Sequence, residues 1–174
     1  MPCSQQKVET SWYYRNKAVL TWDGLEIYSQ LYLIKMELSK QSQETKLVLD
    51  GFFQGTGNND TDAISAFLAE DISFYIAESP YMPWTGKKNG KQQVITALQQ
   101  LIAAHKTEDD DFEMDHIFID ETEAAVFGKA GRTVRATGKK FKEPFVMRFT
   151  VKDQLITKFL MLEDSHKIEK AFIQ

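Results

Sequence analysis

Four consecutive segments in the second half of the chain alternate between apolar and polar residues. This period of two is typical of β-strands, and the segments cover residues 112–119, 124–134, 145–151 and 155–163. Short polar connections, Asp120-Glu121 and Lys152-Asp153-Gln154, are suited to hairpins. Most of the helical periodicity comes before these strands. Helices and strands that are segregated in this way indicate an α+β domain with a curved antiparallel sheet.

Three amphipathic helices are predicted before these four strands, and a fourth is predicted after them. Their expected starts are Thr45, the position after the N-cap Asp60, Asn89-Gly90, and Asp164 or Ser165. One further strand, 72–77, is expected between the second and third helices. The prolines of the segment 79–86 exclude a helix there, so this segment is predicted to be a rigid loop.

Composition and charge exclude several classes of protein. The net charge of −4 provides no basic surplus for phosphates, which argues against a nucleic-acid binder. The single cysteine, Cys3, cannot form an internal disulfide, so a cytoplasmic location is predicted. The three histidines lack metal-ligand spacing, and neither a metal nor another cofactor is expected. No apolar run is long enough to span a membrane.

The N-terminal part differs in composition from the rest. Four of the six tyrosines and two of the three tryptophans precede Met36, but none of the twelve phenylalanines does. The predicted organisation is an extension over residues 1–44 and a domain over 45–174, joined through a polar linker or frayed helix start at 39–44. The extension either packs its aromatic residues on the domain or results from an upstream start, with Met36 as the native initiator.

The last two strands carry apolar residues on both faces. One face is rich in phenylalanine and methionine, namely Phe145, Met147, Phe149, Phe159 and Met161. The opposite face of the last strand carries Leu160 and Leu162, so both sides of the sheet need cover. Helices are expected on one side, and a homodimer through the outer face is expected on the other. The inner face is interpreted either as plain core or as the wall of an apolar ligand pocket.

Four motifs carry a family resemblance. They are Pro83-Trp84-x-Gly86-x-x-x-Gly90, Gly128 followed by Arg135-Ala136-Thr137-Gly138, Phe149-Thr150-Val151-x-Asp153-x-x-Ile156, and Asp164-Ser165 followed by Ala171-Phe172. Their order and spacing resemble the SnoaL-like, ketosteroid-isomerase-related branch of the nuclear transport factor 2-like (NTF2-like) superfamily. The resemblance covers about residues 45–174 and implies a cone-shaped α+β barrel around a deep cavity, commonly as a dimer. It implies no single activity, because the superfamily includes isomerases, cyclases, hydrolases and binding modules.

The resemblance also locates the positions of ketosteroid isomerase chemistry. The general base would fall at Ile76, the oxyanion tyrosine at Phe52 or Phe53, and the oxyanion aspartate at Phe145. These apolar side chains cannot transfer a proton, so ketosteroid isomerisation is not expected. Two histidine positions of the SnoaL-like branch correspond to Tyr75 and Met147, so that branch's acid–base set is also incomplete.

Three residues, His116, Tyr75 and Glu163, are candidates for acid–base catalysis. His116 could be a general base or a hydrogen-bonded histidine at the sheet rim, and it is expected to share a strand face with Phe112, Met114 and Phe118. Tyr75 could donate to a ligand carbonyl or lie in solvent. Glu163 ends the last strand on the Phe159/Met161 face, where burial would raise its pKa, although exposure is the common fate of a terminal glutamate.

Two functions follow as hypotheses. The first is binding of a small apolar or amphipathic molecule, with the predicted ligand-binding residues Phe52, Ile76, Glu78, Trp84, Phe145, Met147, Phe149, Phe159 and Met161. The second is a SnoaL-like isomerase, lyase, cyclase or hydrolase that uses acid–base catalysis on a small hydrophobic substrate. An acid–base pair that converges in the cavity would favour the second hypothesis, and a wholly apolar cavity would favour the first. A protein-adaptor role through exposed apolar surface is a third interpretation.

Overall fold

The computed structural model describes the backbone of residues 24–173 and the side chains of residues 40–173. The chain divides into two compact units, residues 1–36 and residues 37–174. All the side chains described below belong to the second unit.

Four helices and six strands make up the described part of the chain. The helices are α1 (Gly24–Gly57), α2 (Thr61–Ser65), α3 (Lys91–Ala104) and α4 (Ser165–Phe172), with a 3₁₀ turn at Thr107–Asp109. The strands are β1 (Leu68–Ile76), β2 (Gly86–Asn89), β3 (Asp111–Asp120), β4 (Glu123–Thr133), β5 (Lys140–Lys152) and β6 (Leu155–Glu163). The predicted α+β class and the four consecutive strands are confirmed.

The six strands form one sheet in the order β2-β1-β6-β5-β4-β3. Its end strands do not pair with each other, so the sheet stays open. Four of the five pairings are antiparallel, as predicted, and β1 pairs with β6 in parallel. Hairpin connections force antiparallel pairing. β1 and β6 are instead separated by most of the domain, so no short turn dictates their relative direction.

The core lies between the inner face of the sheet and the helices. Phe149 on β5 is fully buried and stacks on Phe159 of β6 with ring centroids 4.8 Å apart. Phe52 of α1 packs edge-on against both rings, at 5.5 and 5.9 Å. The predicted phenylalanine-rich face is therefore the face that the first helix covers.

The boundary between α2 and β1 differs from the prediction. The strand after the second helix was predicted over residues 72–77, but α2 ends at Ser65 and β1 already starts at Leu68. The carbonyl of Phe67 accepts a hydrogen bond from the amide of Ile156 at 2.8 Å, and Leu68 pairs with Ile156. Pairing with a strand far along the chain thus overrides the local helical preference.

Strand β2 lies in a region that was predicted to be loop and helix start. Its four residues have no apolar alternation and form a strand by pairing with the end of β1. Glycines with positive φ, Gly86 at 77° and Gly90 at 83°, stand at its start and just beyond its end. These backbone angles favour glycine and let the chain turn into and out of so short a strand.

The segment 39–44, predicted as a linker or a frayed helix start, lies within α1. Polar residues of this region bind the β3–β4 turn. Thr45 Oγ1 donates to the carbonyl of Glu121 at 2.6 Å, and Ser42 Oγ accepts from the amide of Glu121 at 3.2 Å. Residues 1–23 lie outside the described part, so the origin of the extension stays a prediction.

Strand β3 contains an irregularity that changes which residues share a face. Phe112 and Met114 lie opposite Ala130 and Gly128, but the register shifts before His116, which lies opposite Phe127. A bulge of this kind reverses the alternation of side chains. His116 and Phe118 therefore lie on the outer face of the sheet. The prediction that His116 shares a face with Phe112 and Met114 is wrong for this reason.

Candidate functional site

A cavity of about 80 Å³ lies between the inner face of the sheet and helices α1, α3 and α4. Its wall is mostly aromatic and aliphatic. Six of the nine predicted ligand-binding residues line it, namely Phe52, Ile76, Trp84, Met147, Phe159 and Met161. Other apolar lining residues, which the sequence did not single out, are Met82, Leu98, Leu101, Phe112, Ala130, Phe141 and Ile168.

The remaining three predicted ligand-binding residues lie outside this wall. Phe145 and Phe149 are buried in the core, where Phe145 stacks on Phe112 and Phe149 stacks on Phe159. Glu78 is exposed in the loop after β1. Alternation identifies the inner face of a strand, but it does not distinguish a position that packs against a helix from one that borders a void.

Three ionisable side chains, Glu163, Arg132 and His105, also line the cavity. They come from separate elements: Glu163 is the last residue of β6, Arg132 is on β4, and His105 follows α3. Arg132 lies opposite Phe141 in the sheet, and the ring of His105 packs on Phe141 at 5.9 Å. The positive charge of Arg132 acts on the pKa of both other groups. The three side chains therefore form one polar cluster in an otherwise apolar wall.

Glu163 has a pKa suited to proton transfer near neutral pH. Burial raises the pKa of its carboxyl from 4.5 to about 7, and the nearby charge of Arg132 opposes this rise. The carboxyl group is therefore present in both protonation states around pH 7, which is the condition for a general acid or base. Its position follows from the period of two, which puts it in phase with Phe159 and Met161.

Arg132 brings a permanent positive charge to the cavity. Its side chain is 16% exposed, and burial lowers its pKa while the carboxylates of Asp110 and Glu163 raise it. An arginine stays protonated in proteins despite such a shift. Its nearest carboxylate is Asp110, with Nε and Oδ1 3.9 Å apart. That separation is an ion pair and is too long for a direct hydrogen bond.

His105 is a buried, neutral histidine. Its Nδ1 lies 2.7 Å from the carbonyl oxygen of Leu101, and since a carbonyl only accepts, Nδ1 carries the proton. The ring packs against Trp84 and Phe172, each at 5.6 Å. Burial, with the charge of Arg132, lowers its pKa from 6.5 to about 4. Nε2 therefore keeps a lone pair, and it has no hydrogen-bond partner among the described residues.

Neither His105 nor Arg132 was among the residues predicted for acid–base catalysis or ligand binding. A usable signal existed for Arg132, because it is in phase with the small residues Gly128 and Ala130, which face inward. No comparable signal marks His105, which lies just beyond a helix. It reaches the cavity because its backbone pairs with Val134 in an isolated bridge.

The other two acid–base candidates do not accompany Glu163 in this cavity. Tyr75 is 40% exposed and lies between the buried residues Phe74 and Ile76, so it points to the outer face. His116 is on the outer face of β3 beyond the bulge and stacks on Phe118 at 6.0 Å. Catalytic roles for these two residues remain predictions with no acid–base partner in the cavity.

The outer face of the sheet exposes several large apolar side chains. Among them, Phe118 is 60% exposed, Leu162 is 50% exposed and Phe127 is 39% exposed. Phe127 lies opposite Val146 in the sheet, and Val146 lies opposite Leu162, so these residues form a continuous band across three strands. An exposed apolar band of this sort is typical of an interaction surface.

The described residues contain neither a candidate metal site nor a candidate membrane-spanning helix. In that part of the chain, no group of three or more histidine, cysteine, aspartate or glutamate residues could hold a metal ion. None of the helices found there combines the length and the hydropathy that crossing a bilayer requires.

Comparisons with known proteins identify relatives at the level of family and fold. A family model described as a SnoaL-like domain matches residues 49–159, which is more than half of the chain. A search of curated proteins found no match.

Solved structures show the same fold. An NTF2-like protein from Burkholderia xenovorans LB400 is 22% identical, with a TM-score of 0.63 over 75% of this chain and 97% of that one. An NTF2-like protein from Burkholderia pseudomallei K96243 is 16% identical, with a TM-score of 0.68 over 75% and 98%. A candidate polyketide cyclase from Silicibacter sp. TM1040 is 22% identical, with a TM-score of 0.63 over 74% and 95%.

Proposed function

This chain belongs to the SnoaL-like domain family of the NTF2-like superfamily, and on that premise we propose that its cavity binds a small amphipathic molecule. The observation that carries the proposal is the composition of the cavity wall. Aromatic and methionine side chains surround a single polar cluster, formed by His105, Arg132 and Glu163. Ligand sites commonly combine a mainly apolar wall with a few convergent polar groups that orient the ligand.

The size of the cavity limits the ligand. A volume of about 80 Å³ is small beside the roughly 300–1,000 Å³ of typical ligand pockets. Three methionines, Met82, Met147 and Met161, lie in the wall and can change rotamer to enlarge it. These features support a ligand of about the size of one substituted ring.

The proposal is tested by native mass spectrometry of the purified protein, followed by organic extraction. We expect a small apolar molecule to co-purify and Ala130→Leu, which adds three carbon atoms to the cavity wall, to reduce its retention. Ala103→Leu makes the same change at an exposed position on α3 and should retain the molecule. Equal retention by both variants would show that the ligand does not occupy this cavity.

Acid–base catalysis is a second candidate function, and the polar cluster is the observation that favours it. Glu163 has a pKa near 7 and could transfer a proton, while Arg132 could stabilise negative charge that develops on a substrate oxygen. The reaction would be an isomerisation, elimination, cyclisation or hydrolysis of a small hydrophobic substrate.

A substrate screen tests this second candidate. E163Q should abolish turnover of any substrate found, while the thermal unfolding midpoint shows that the variant is folded. Turnover that survives in E163Q would exclude Glu163 as the acid or base. His116→Ala should retain turnover, because His116 lies on the outer face.

We further propose that the outer band of Phe118, Phe127, Val146 and Leu162 is covered by a second copy of the chain. The exposure of Phe118, Phe127 and Leu162 supports a homodimer, since a symmetric interface is the common solution for such a surface. We also propose a cytoplasmic location, on the ground that the chain contains a single cysteine.

A further inference from the structure

The guanidinium group of Arg132 has unused binding capacity. Among the described residues, its N–H groups make the 3.9 Å ion pair with Asp110 and no hydrogen bond. A guanidinium presents five donors in a planar fork, and that fork matches a carboxylate in two parallel hydrogen bonds. Arg132 is one of the residues that line the cavity, and its charge acts on Glu163 in the same wall, so we expect a ligand there to reach donors that the protein leaves unused.

The carboxyl group of Glu163 is likewise without a hydrogen bond among the described residues. The other charges around it are already compensated. On β5, Glu143 pairs with Lys167 of α4 at 3.1 Å, and Asp164 pairs with the same lysine at 3.2 Å. From the segment after α3, His105 contributes no charge because it is neutral. Of these three carboxyl groups, Glu163 is thus the one that has no lysine partner in the described part of the chain and on which the charge of Arg132 acts.

These observations set the charge balance of the cavity. When Glu163 is ionised, two carboxylates, those of Glu163 and Asp110, surround the single positive charge of Arg132. A ligand carboxylate would add a third negative charge in a partly buried site, where like charges repel strongly. Protonation of Glu163 removes the repulsion from one of these two carboxylates and leaves the unused N–H donors of Arg132 available to the ligand.

We propose that the ligand of this cavity is a small apolar monocarboxylate, which Arg132 binds through its guanidinium while Glu163 takes up one proton from solvent. This inference rests on the proposed binding function and specifies its ligand class. A monoanion is favoured over a phosphate because Arg132 already faces the carboxylate of Asp110, and a dianion would add one more negative charge beside this single positive charge in an apolar wall. The remaining wall, which includes Trp84, Met147 and Phe159, receives the apolar part of the ligand.

The proposal is tested by calorimetric titration with two probes, benzoate and its neutral isostere benzamide. Near pH 6, benzoate should bind at least about tenfold more tightly than benzamide. Hydrogen bonds between charged groups are stronger than those between neutral groups by an amount of that order. Titrations in two buffers of different ionisation enthalpy give the number of protons that the protein takes up on binding. Above pH 7, this number should approach one proton for each benzoate bound. Over the same range, the benzoate Kd should rise by about tenfold for each pH unit.

Two variants assign the effect to its residues. In E163Q, the benzoate affinity should lose its dependence on pH, and proton uptake should disappear. In R132Q, the preference for benzoate over benzamide should be lost. R148Q makes the same substitution at an arginine on the outer face and should keep it. If R132Q does not fold, the proton count and E163Q still decide the proposal.

The possible failures are distinct. Equal affinity for the two probes, or benzoate binding without proton uptake above pH 7, would overturn the monocarboxylate inference and leave the binding function standing. Failure of both probes to bind would overturn the inference together with the proposed amphipathic, ring-sized ligand.

Discussion

The burial of Glu163 predicts an unusual dependence of stability on pH. Its carboxyl has a pKa of about 7 in the folded protein against 4.5 for the free group. The unfolded chain therefore loses this proton more readily than the folded chain does. The contribution of the group to stability is fully present below about pH 4.5 and is lost as the pH rises to about 7.

The size of this effect follows from the same two values. Each tenfold difference in proton affinity corresponds to about 1.4 kcal/mol, so the ionised Glu163 lowers the free energy of unfolding by about 3 kcal/mol above pH 7. E163Q replaces the carboxyl with a neutral group of similar shape. The variant should match the parent near pH 4 and exceed its free energy of unfolding by up to about 3 kcal/mol near pH 8.5.

Urea denaturation at several pH values, followed by circular dichroism, measures this difference. Glu121→Gln changes an exposed carboxyl in the β3–β4 turn and serves as the control. A difference between E163Q and the parent that stays constant from pH 5 to pH 8.5 would refute the reasoning, because it would mean that the carboxyl is solvated in the folded protein.

Two further predictions concern packing. Leu162→Glu should convert the proposed dimer to a monomer, as measured by light scattering. The control Leu47→Glu changes a side chain on α1 that is 69% exposed, and it should leave the mass unchanged. A Leu162→Glu variant that keeps the mass of the parent would contradict the outer-face dimer. Gly128→Ala should lower the free energy of unfolding by about 1–3 kcal/mol, because the added Cβ would collide with a carbonyl of β3 and lie 2.7 Å from the ring of Phe145. Gly57→Ala places its Cβ in open space and should be tolerated in the same thermal or urea assay; similar losses for both glycine variants would contradict this account.

The polar cluster bears on the choice between binding and catalysis. A wholly apolar cavity would have favoured simple binding, whereas Glu163, Arg132 and His105 provide a proton donor, a fixed positive charge and a free lone pair. Two of these groups, Arg132 and the protonated Glu163, can hold a ligand carboxylate without any reaction. The pH-dependent titration of benzoate and the turnover test of E163Q separate these two uses.

Local pattern was sufficient for much of this protein. The period of two predicted β3 to β6, and the polar connections between them predicted hairpins, because both features depend on residues close together in the chain. The same period predicted that Glu163 faces inward with Phe159 and Met161. The four motifs predicted the family, which the match over residues 49–159 confirms.

Other features depended on contacts between distant segments, which no local pattern contains. The bulge in β3 moved His116 to the outer face, and the pairing of β1 with β6 moved the start of β1 to Leu68. Arg132 and His105 join Glu163 only because the sheet and α3 enclose one cavity. Sequence alone determined the strands and the phase of their side chains, and tertiary structure decided the members of the site and their pKa values, because burial and charge proximity arise only after the segments pack together.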